Sequence, residues 1–218
     1  MTHLEEELGR LRNSVIEMML LARSQLAKAK EAFLQHDTGL AQEIIRKETR
    51  INGMELAIDR DCENILALFN PVATDLRFVV SMLKINSDIE RIGDYAESIA
   101  DYVIEMPEPF KPEFLDRLHI GDMFEIAVRM VEQVTEGYRK GDTLLVRKVF
   151  NEDQGLNRIN RAAPAIITEL IQQNLGNTSQ LLYLFSTIKK LERVGDHVKN
   201  IAEDIIFYFE AEVLKHRR

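Results

Sequence analysis

The stretch Glu90-Arg91-Ile92-Gly93-Asp94 recurs in this chain as Glu192-Arg193-Val194-Gly195-Asp196. Position 90 corresponds to position 192, so the offset is 102 residues in a chain of 218. The resemblance extends beyond the stretch, because Ile99-Ala100-Asp101 follows the first copy as Ile201-Ala202-Glu203 follows the second. Repetition at this spacing indicates two equivalent halves, each presenting the same acidic pattern.

Apolar residues recur at helical spacing along most of the chain, and its 10 glycines and 5 prolines are few and clustered. We therefore predict an all-α fold of two tandem three-helix bundles related by pseudo-two-fold symmetry, with antiparallel neighbouring helices. The segment Met106–Pro112 contains three prolines and is expected to be a linker. The predicted domains are residues 1–106 and 107–218.

Several residues are expected to begin or bend the helices. Asp37-Thr38 and Asp142-Thr143 start the two middle helices with an Asp or Thr N-cap, and Thr74 is expected to cap the third helix. Pro164 should bend or interrupt the fifth helix. The predicted helices span 4–35, 38–69, 72–105, 112–139, 143–175 and the segment after 178.

The charge and composition exclude some classes of protein. The net charge is −8, and the only basic run is Lys215–Arg218, which argues against general nucleic-acid binding. The single cysteine, Cys62, rules out an internal disulfide framework. The first residues do not resemble a signal peptide, and no run is apolar enough to span a membrane. We therefore expect a cytoplasmic protein.

The repeated stretch places acidic side chains in a strip on one face of its helix. At about 100° per residue, the strip is about 60° wide and lies opposite the apolar face. Its members in the first half are Glu90, Asp94, Glu97 and Asp101. The second half repeats it with Glu192, Asp196 and Glu203, and places Lys199 where Glu97 would be.

A solvated helix surface would also carry such a strip, but two features favour a binding site. Like charges four residues apart destabilise a helix unless something neutralises them, and the pairing is present in both halves. Each strip also contains a mid-helix glycine, Gly93 or Gly195. Such a glycine costs about 1 kcal/mol relative to alanine, which suggests a close approach of another backbone.

The middle helices carry matching groups at an offset of 105 residues. Glu48, Asn52, Glu55 and Asp59 form a strip in the first half, and Asp153 and Asn157 take the places of Glu48 and Asn52 in the second. If the middle and last helices of each half lie side by side, oxygen ligands converge in both. The predicted metal ligands are Glu48, Asn52, Glu90, Asp94, Glu97, Asp153, Asn157, Glu192 and Asp196.

The chemistry of this ligand set narrows the choice of metal. Carboxylate and amide oxygens without thiolate favour Mg, Mn or Fe(III) over a structural zinc ion. His197 follows Asp196 but has no counterpart at Tyr95, and we interpret it as an ordinary surface histidine rather than a ligand.

The segment Asn70-Pro71-Val72-Ala73-Thr74-Asp75-Leu76-Arg77, together with the two Glu-Arg-Ile/Val-Gly-Asp stretches, resembles the PhoU family over essentially the whole chain. That resemblance implies tandem three-helix bundles whose Glu/Asp-x-x-x-Asp motifs bind multinuclear clusters of iron or other metals. The matching positions here are Glu90 to Asp94 and Glu192 to Asp196, with Glu48 and Asp153 as middle-helix partners. This chain departs from the pattern at Asn52, Asn157 and Lys199.

The resemblance also implies a function, which is negative regulation of phosphate uptake and of the phosphate-starvation two-component response. The expected partners are the ATPase of the phosphate ABC transporter, the phosphate sensor histidine kinase and a second copy of the chain. Asp75 and Arg77 have either a functional role or a structural one in the first turn of a helix.

Two other classes of protein remain open from the sequence. One is a carboxylate-bridged metal store or di-iron enzyme, although no Glu-x-x-His motif pairs with the Glu90 or Glu192 segment. The other is a structural adaptor whose acidic strips are solvated surface. We find no nucleophile with an adjacent base and no glycine-rich phosphate loop, so we do not predict an enzyme.

Overall fold

The computed structural model describes residues 2–214, which form helices and turns and no strand. The first half contains three long helices, and the second contains two long helices, one of intermediate length and two short ones. The helices are α1 (His3–Gln35), α2 (Thr38–Phe69), α3 (Thr74–Glu105), α4 (Pro112–Arg117), α5 (Ile120–Lys140), α6 (Thr143–Arg147), α7 (Val149–Gln173) and α8 (Thr178–Glu210). A single 3₁₀ turn at Leu175–Asn177 precedes α8.

Aspartate side chains cap both middle-helix starts, as predicted. The Asp37 carboxylate accepts a hydrogen bond from the backbone N–H of Leu40 at 2.9 Å. The Asp142 carboxylate accepts the equivalent bond from Leu145 at 3.0 Å. Each cap satisfies an N–H group that has no partner inside the helix.

The second half departs from the predicted single helix over 112–139. The chain leaves right-handed helical geometry at His119, whose φ of +53° lies in the left-handed region. The turn places Leu118 and Ile120, which flank it, in the core. The helical periodicity of the sequence gives no sign of this one-residue reversal, which separates α4 from α5.

The predicted fifth helix is also divided, although not at Pro164. It is interrupted at Lys148, between α6 and α7, and the flanking Val146 and Val149 are fully buried. Pro164 lies inside α7, which continues without interruption to Gln173, so the alternative of a break at the proline is wrong. The Thr74 cap is wrong as well, because Thr74 is the first helical residue and Ala73 precedes it with φ of +48° and no side-chain cap.

The two halves pack through α3 and α8, which run antiparallel. Lys84 near the start of α3 pairs with Asp204 near the end of α8, at 3.3 Å between Nζ and Oδ1. Near the opposite ends, the Tyr102 hydroxyl lies 2.7 Å from the Ser186 hydroxyl. Since α3 and α8 carry the two copies of the repeat, this antiparallel pairing relates the halves by a pseudo-two-fold axis.

One apolar core runs through both halves. Helix α1 contacts α5 as well as α2 and α3, and α8 contacts α3, α5 and α7. The ring of Phe33 in α1 stacks on Phe110 of the linker with centroids 4.3 Å apart. Among residues 2–214, no helix is both long and apolar enough to cross a membrane.

Candidate metal centre

Glu48 lies in the tightest part of the contact between α2 and α3. Only 4% of its surface is exposed, and among residues 2–214 neither carboxylate oxygen accepts a hydrogen bond from an N–H or hydroxyl group. Gly93 of α3 faces it, and a Cβ atom there would lie 2.8 Å from Ile51 Cδ1 and 3.3 Å from Glu48 Oε2. The mid-helix glycine therefore permits a close approach of the two helices, which is the role expected from the sequence.

Three further carboxylates of α3 surround this buried acid. Burial, followed by the negative charges of Asp94, Glu97 and Glu90 and by a hydrogen bond with Asp94, raises the pKa of Glu48 to about 8. Burial and the charge of Asp94 also raise the pKa of Glu90, and burial with the charges of Asp101 and Asp94 raises that of Glu97. The cleft is thus deficient in positive charge.

Arg91 lies at the rim of the cleft and compensates only part of this charge. Its Nη1 donates to Asp94 Oδ2 at 2.9 Å, and its Nε lies 3.4 Å from Glu90 Oε2. The Arg91 side chain is 55% exposed, so solvent screens these pairs. Within the described part of the chain, no basic, amide or hydroxyl group donates to either oxygen of Glu48. We call the group Glu48, Glu90, Asp94 and Glu97 the first-half carboxylate cluster.

Of the other members of the α2 strip, Glu55 lies close enough to the cluster for its charge to help raise the pKa of Glu90, whereas Asn52 and Asp59 do not join it. Asn52 is exposed, and it forms no hydrogen bond with the cluster among the described residues. Asp59 instead accepts a hydrogen bond from Asn86 Nδ2 at 2.8 Å, and the same amide donates to the Glu55 carbonyl at 2.9 Å. Asn86 therefore joins α2 to α3 through its amide nitrogen at this part of the strip.

The second half reproduces the central geometry at Asp153 and Gly195. Asp153 in α7 is 5% exposed. A Cβ atom at Gly195 would lie 2.6 Å from Leu156 Cδ1 and 3.0 Å from Asp153 Oδ1. Glycine therefore permits the same close contact between α7 and α8.

Lys199 makes the second half chemically different from the first. Its Nζ lies 2.8 Å from Asp153 Oδ2 and 2.9 Å from Asp196 Oδ1. Burial lowers the pKa of Lys199, but the hydrogen bonds to the two aspartates outweigh it and leave the pKa above its usual value. Asn157 Nδ2 also donates to Asp153 Oδ2 at 2.6 Å. Among residues 2–214, Glu192 forms no ion pair or hydrogen bond with Lys199 or Asn157.

The two halves differ in how well they suit a metal ion. Within residues 2–214, no three Asp, Glu, His or Cys side chains already converge on one point, so binding would require side chains to rotate. The first-half carboxylate cluster fits a hard cation, because its donors are all carboxylate oxygens and its buried central acid has no cationic partner among the described residues. In the second half, an ammonium group already lies between Asp153 and Asp196. The nine ligands named from the sequence remain predictions.

His197 forms a contact that the sequence did not indicate. Its Nδ1 lies 2.6 Å from Oδ1 of Asp88, and Asn200 Nδ2 donates to the same oxygen at 3.2 Å. Asp88 is 109 residues away in sequence, so no local pattern connects them. The contact joins α3 to α8 and therefore the two halves.

The Asp75-Leu76-Arg77 segment has a structural contact in this fold. Arg77 Nε donates to the backbone carbonyl of Tyr208 at 3.2 Å, near the end of α8. This bond satisfies one of the carbonyls that a helix leaves unpaired in its last turn. Arg77 thus connects the start of α3 to the end of the other half.

Comparison with known proteins agrees with this architecture. The family model described as the PhoU domain matches the chain twice, over residues 15–103 and 120–205. A phosphate-specific transport system accessory protein PhoU homolog from Pseudomonas putida is 31% identical over 96% of this chain and 82% of its own length. A homolog with the same description from Aquifex aeolicus is 33% identical over 97% of this chain and 95% of its own length.

Solved structures show the same fold. The crystal structure of PhoU from Pseudomonas aeruginosa matches with a TM-score of 0.89 and 30% identity, over 96% of this chain and all of that one. The phosphate transport system regulatory protein PhoU from Streptococcus pneumoniae matches with a TM-score of 0.84 and 28% identity, over 97% of this chain and 99% of that one. From its two domain matches and these near full-length relatives, the chain belongs to the PhoU domain family.

Proposed function

We propose that this protein is an accessory regulator of phosphate-specific transport that restrains phosphate uptake and silences the phosphate-starvation response when phosphate is plentiful. The observation that carries the proposal is similarity along nearly the whole chain to relatives described as accessory proteins of that transport system. A solved relative is described as a regulatory protein of phosphate transport, which supports regulation over transport itself.

The regulation would operate through protein contacts in the cytoplasm. The proposed partners are the ATPase of the phosphate ABC transporter and the phosphate sensor histidine kinase, and we expect the protein to act as a homodimer. Leu68, Val72 and Leu76, at the connection between α2 and α3, are exposed apolar side chains that suit contact with another protein.

We also propose that the first-half carboxylate cluster binds a hard cation, either as a multinuclear iron cluster or as Mn or Mg. A bound cation would supply the positive charge that Glu48 lacks, and the other three carboxylates would share it. The support is the buried carboxylate of Glu48, which has no cationic partner among the described residues, and its raised pKa. The same observation favours the alternative function, a metal-binding or metal-storage helical bundle without a regulatory role.

Deletion of the gene in its native host separates these functions. We expect a phosphate-starvation promoter to become active in phosphate-rich medium and to be silenced again by the wild-type gene. Normal repression in the deletion strain would contradict regulation and favour storage. Co-purification of a tagged copy with the ATPase and the histidine kinase would test the partners, and sedimentation giving only the 25.2 kDa monomer would contradict the homodimer.

The cation site has its own test. Glu90→Ala with Asp94→Ala should abolish binding of Mn²⁺ to the first half and leave helical content unchanged, because neither side chain belongs to the apolar core. Glu125→Ala, a change to an exposed carboxylate of α5, is the control and should leave binding intact. Unchanged binding by the double variant would contradict the assignment.

A further inference from the structure

Lys199 occupies the position in the second half that Glu97 occupies in the first, at the repeat offset of 102 residues. The backbone around both positions is equivalent, with a buried acid on the middle helix facing a glycine of the last helix. The difference is therefore one of charge rather than of fold.

The ammonium group of Lys199 lies between the two helices. Its Nζ contacts Asp153 of α7 at 2.8 Å and Asp196 of α8 at 2.9 Å, so one cation bridges both elements. Only 26% of the Lys199 side chain is exposed. Arg193 is the counterpart of Arg91 in the second half. Unlike Arg91, which pairs with Asp94, Arg193 forms no ion pair with Asp196 among the described residues.

We propose that Lys199 is a built-in counter-ion that takes the place of a metal in the second half, so that cation binding is confined to the first. A divalent ion approaching Asp153 and Asp196 would have to displace an ammonium group that is attached to the same helix. The tethered group is always at high local concentration, and its charge repels an incoming cation until it has been displaced.

This arrangement makes the two helix pairs respond differently to metal. The α7–α8 contact has its neutralising charge in the polypeptide, beside Asp153 Oδ2, while Asp153 Oδ1 accepts no hydrogen bond within residues 2–214. The α2–α3 contact gives Glu48 no cationic partner in the described part of the chain, so it gains from an added cation. Removal of metal should therefore loosen the first half and leave the second unchanged.

Substitutions that exchange the side chains of Glu97 and Lys199 test the proposal. The proposal rests on the cation site proposed above for the first half, with which the second half is compared. Binding of Mn²⁺ alone would be measured by equilibrium dialysis. Lys199→Glu should add Mn²⁺ binding to that of the wild type, and a further Asp153→Ala change should remove the addition. Glu97→Lys should abolish binding to the otherwise wild-type chain.

The results separate the two proposals. If Lys199→Glu binds no more Mn²⁺ than the wild type, the counter-ion role of Lys199 is overturned. If the wild type binds none but Lys199→Glu gains an Asp153-dependent site, the first-half cation site fails and the role of Lys199 stands.

Hydrogen exchange on the unmodified protein provides a test that does not depend on the folding of a variant. With Mn²⁺ compared with a chelator, we expect slower amide exchange in α2 and α3 around Glu48 and Gly93. Amides of α7 and α8 around Asp153 and Gly195 should exchange at the same rate in both conditions. Equal protection of both helix pairs by Mn²⁺ would overturn the proposal.

Discussion

Glu48→Gln should stabilise the metal-free protein increasingly as the pH rises. The unfolded chain ionises this side chain near its ordinary pKa of 4.5, whereas the folded protein retains the proton to about pH 8. The folded state therefore binds the extra proton between these values, and stability falls as the pH rises through that window. Glutamine resembles the protonated acid in shape and has no charge to bury.

The size of the effect follows from the two pKa values. One pKa unit corresponds to about 1.4 kcal/mol, so the raised pKa of Glu48 lowers the stability of the folded state by about 1 kcal/mol at pH 5 and about 4 kcal/mol at pH 8. The difference in the free energy of unfolding between Glu48→Gln and the wild type should therefore shift by about 3 kcal/mol in favour of the variant from pH 5 to pH 8. Comparing the change with pH removes the constant cost of placing an amide in the site.

Urea denaturation in the presence of a chelator, at pH 5 and at pH 8, measures this difference. Asp153→Asn is the matched control, because the equivalent acid already has Lys199 as its partner. That variant should lose about 1–3 kcal/mol, since it removes a charged hydrogen bond. Parallel pH profiles of stability for the wild type and Glu48→Gln would refute the reasoning.

Two further predictions concern the helices that position the site. Gly93→Ala and Gly195→Ala should each destabilise the protein by about 1–3 kcal/mol, because the added methyl group overlaps neighbouring side chains. Gly53→Ala, in the exposed interior of α2 with open space around it, should instead stabilise by up to about 1 kcal/mol. Equal effects at the three positions in urea denaturation would contradict the close-contact role. Asp37→Ala and Asp142→Ala each remove a helix N-cap and should lower the free energy of unfolding by about 1 kcal/mol. Variants that unfold at the same temperature as the wild type would show that the caps do not contribute.

The helical architecture and the centre of the site could be predicted because their signals are local or repeated. The doubled stretch revealed two halves, and the offset of 105 residues matched Asp153 to Glu48 before any contact was known. Mid-helix glycines indicated close helix contacts, which the structure shows at Gly93 and Gly195. These features depend on spacing, which the sequence contains directly.

The remaining features depend on contacts between distant residues or on single backbone angles. The reversal at His119 needs only one positive φ, and hydrophobic periodicity continues on both sides of it. The sequence showed that Lys199 replaces a carboxylate, but not that its ammonium reaches across to Asp153 of another helix. The partner of His197 is 109 residues away and likewise leaves no local signal.

Anomalous diffraction from crystals grown with Mn²⁺ tests most directly the claim that the two halves neutralise their buried acids differently. We predict a manganese peak beside Glu48, Glu90 and Asp94 in the first half. The second half should show no peak, with Lys199 still between Asp153 and Asp196. Peaks in both halves, or a peak beside Asp153 alone, would contradict the account.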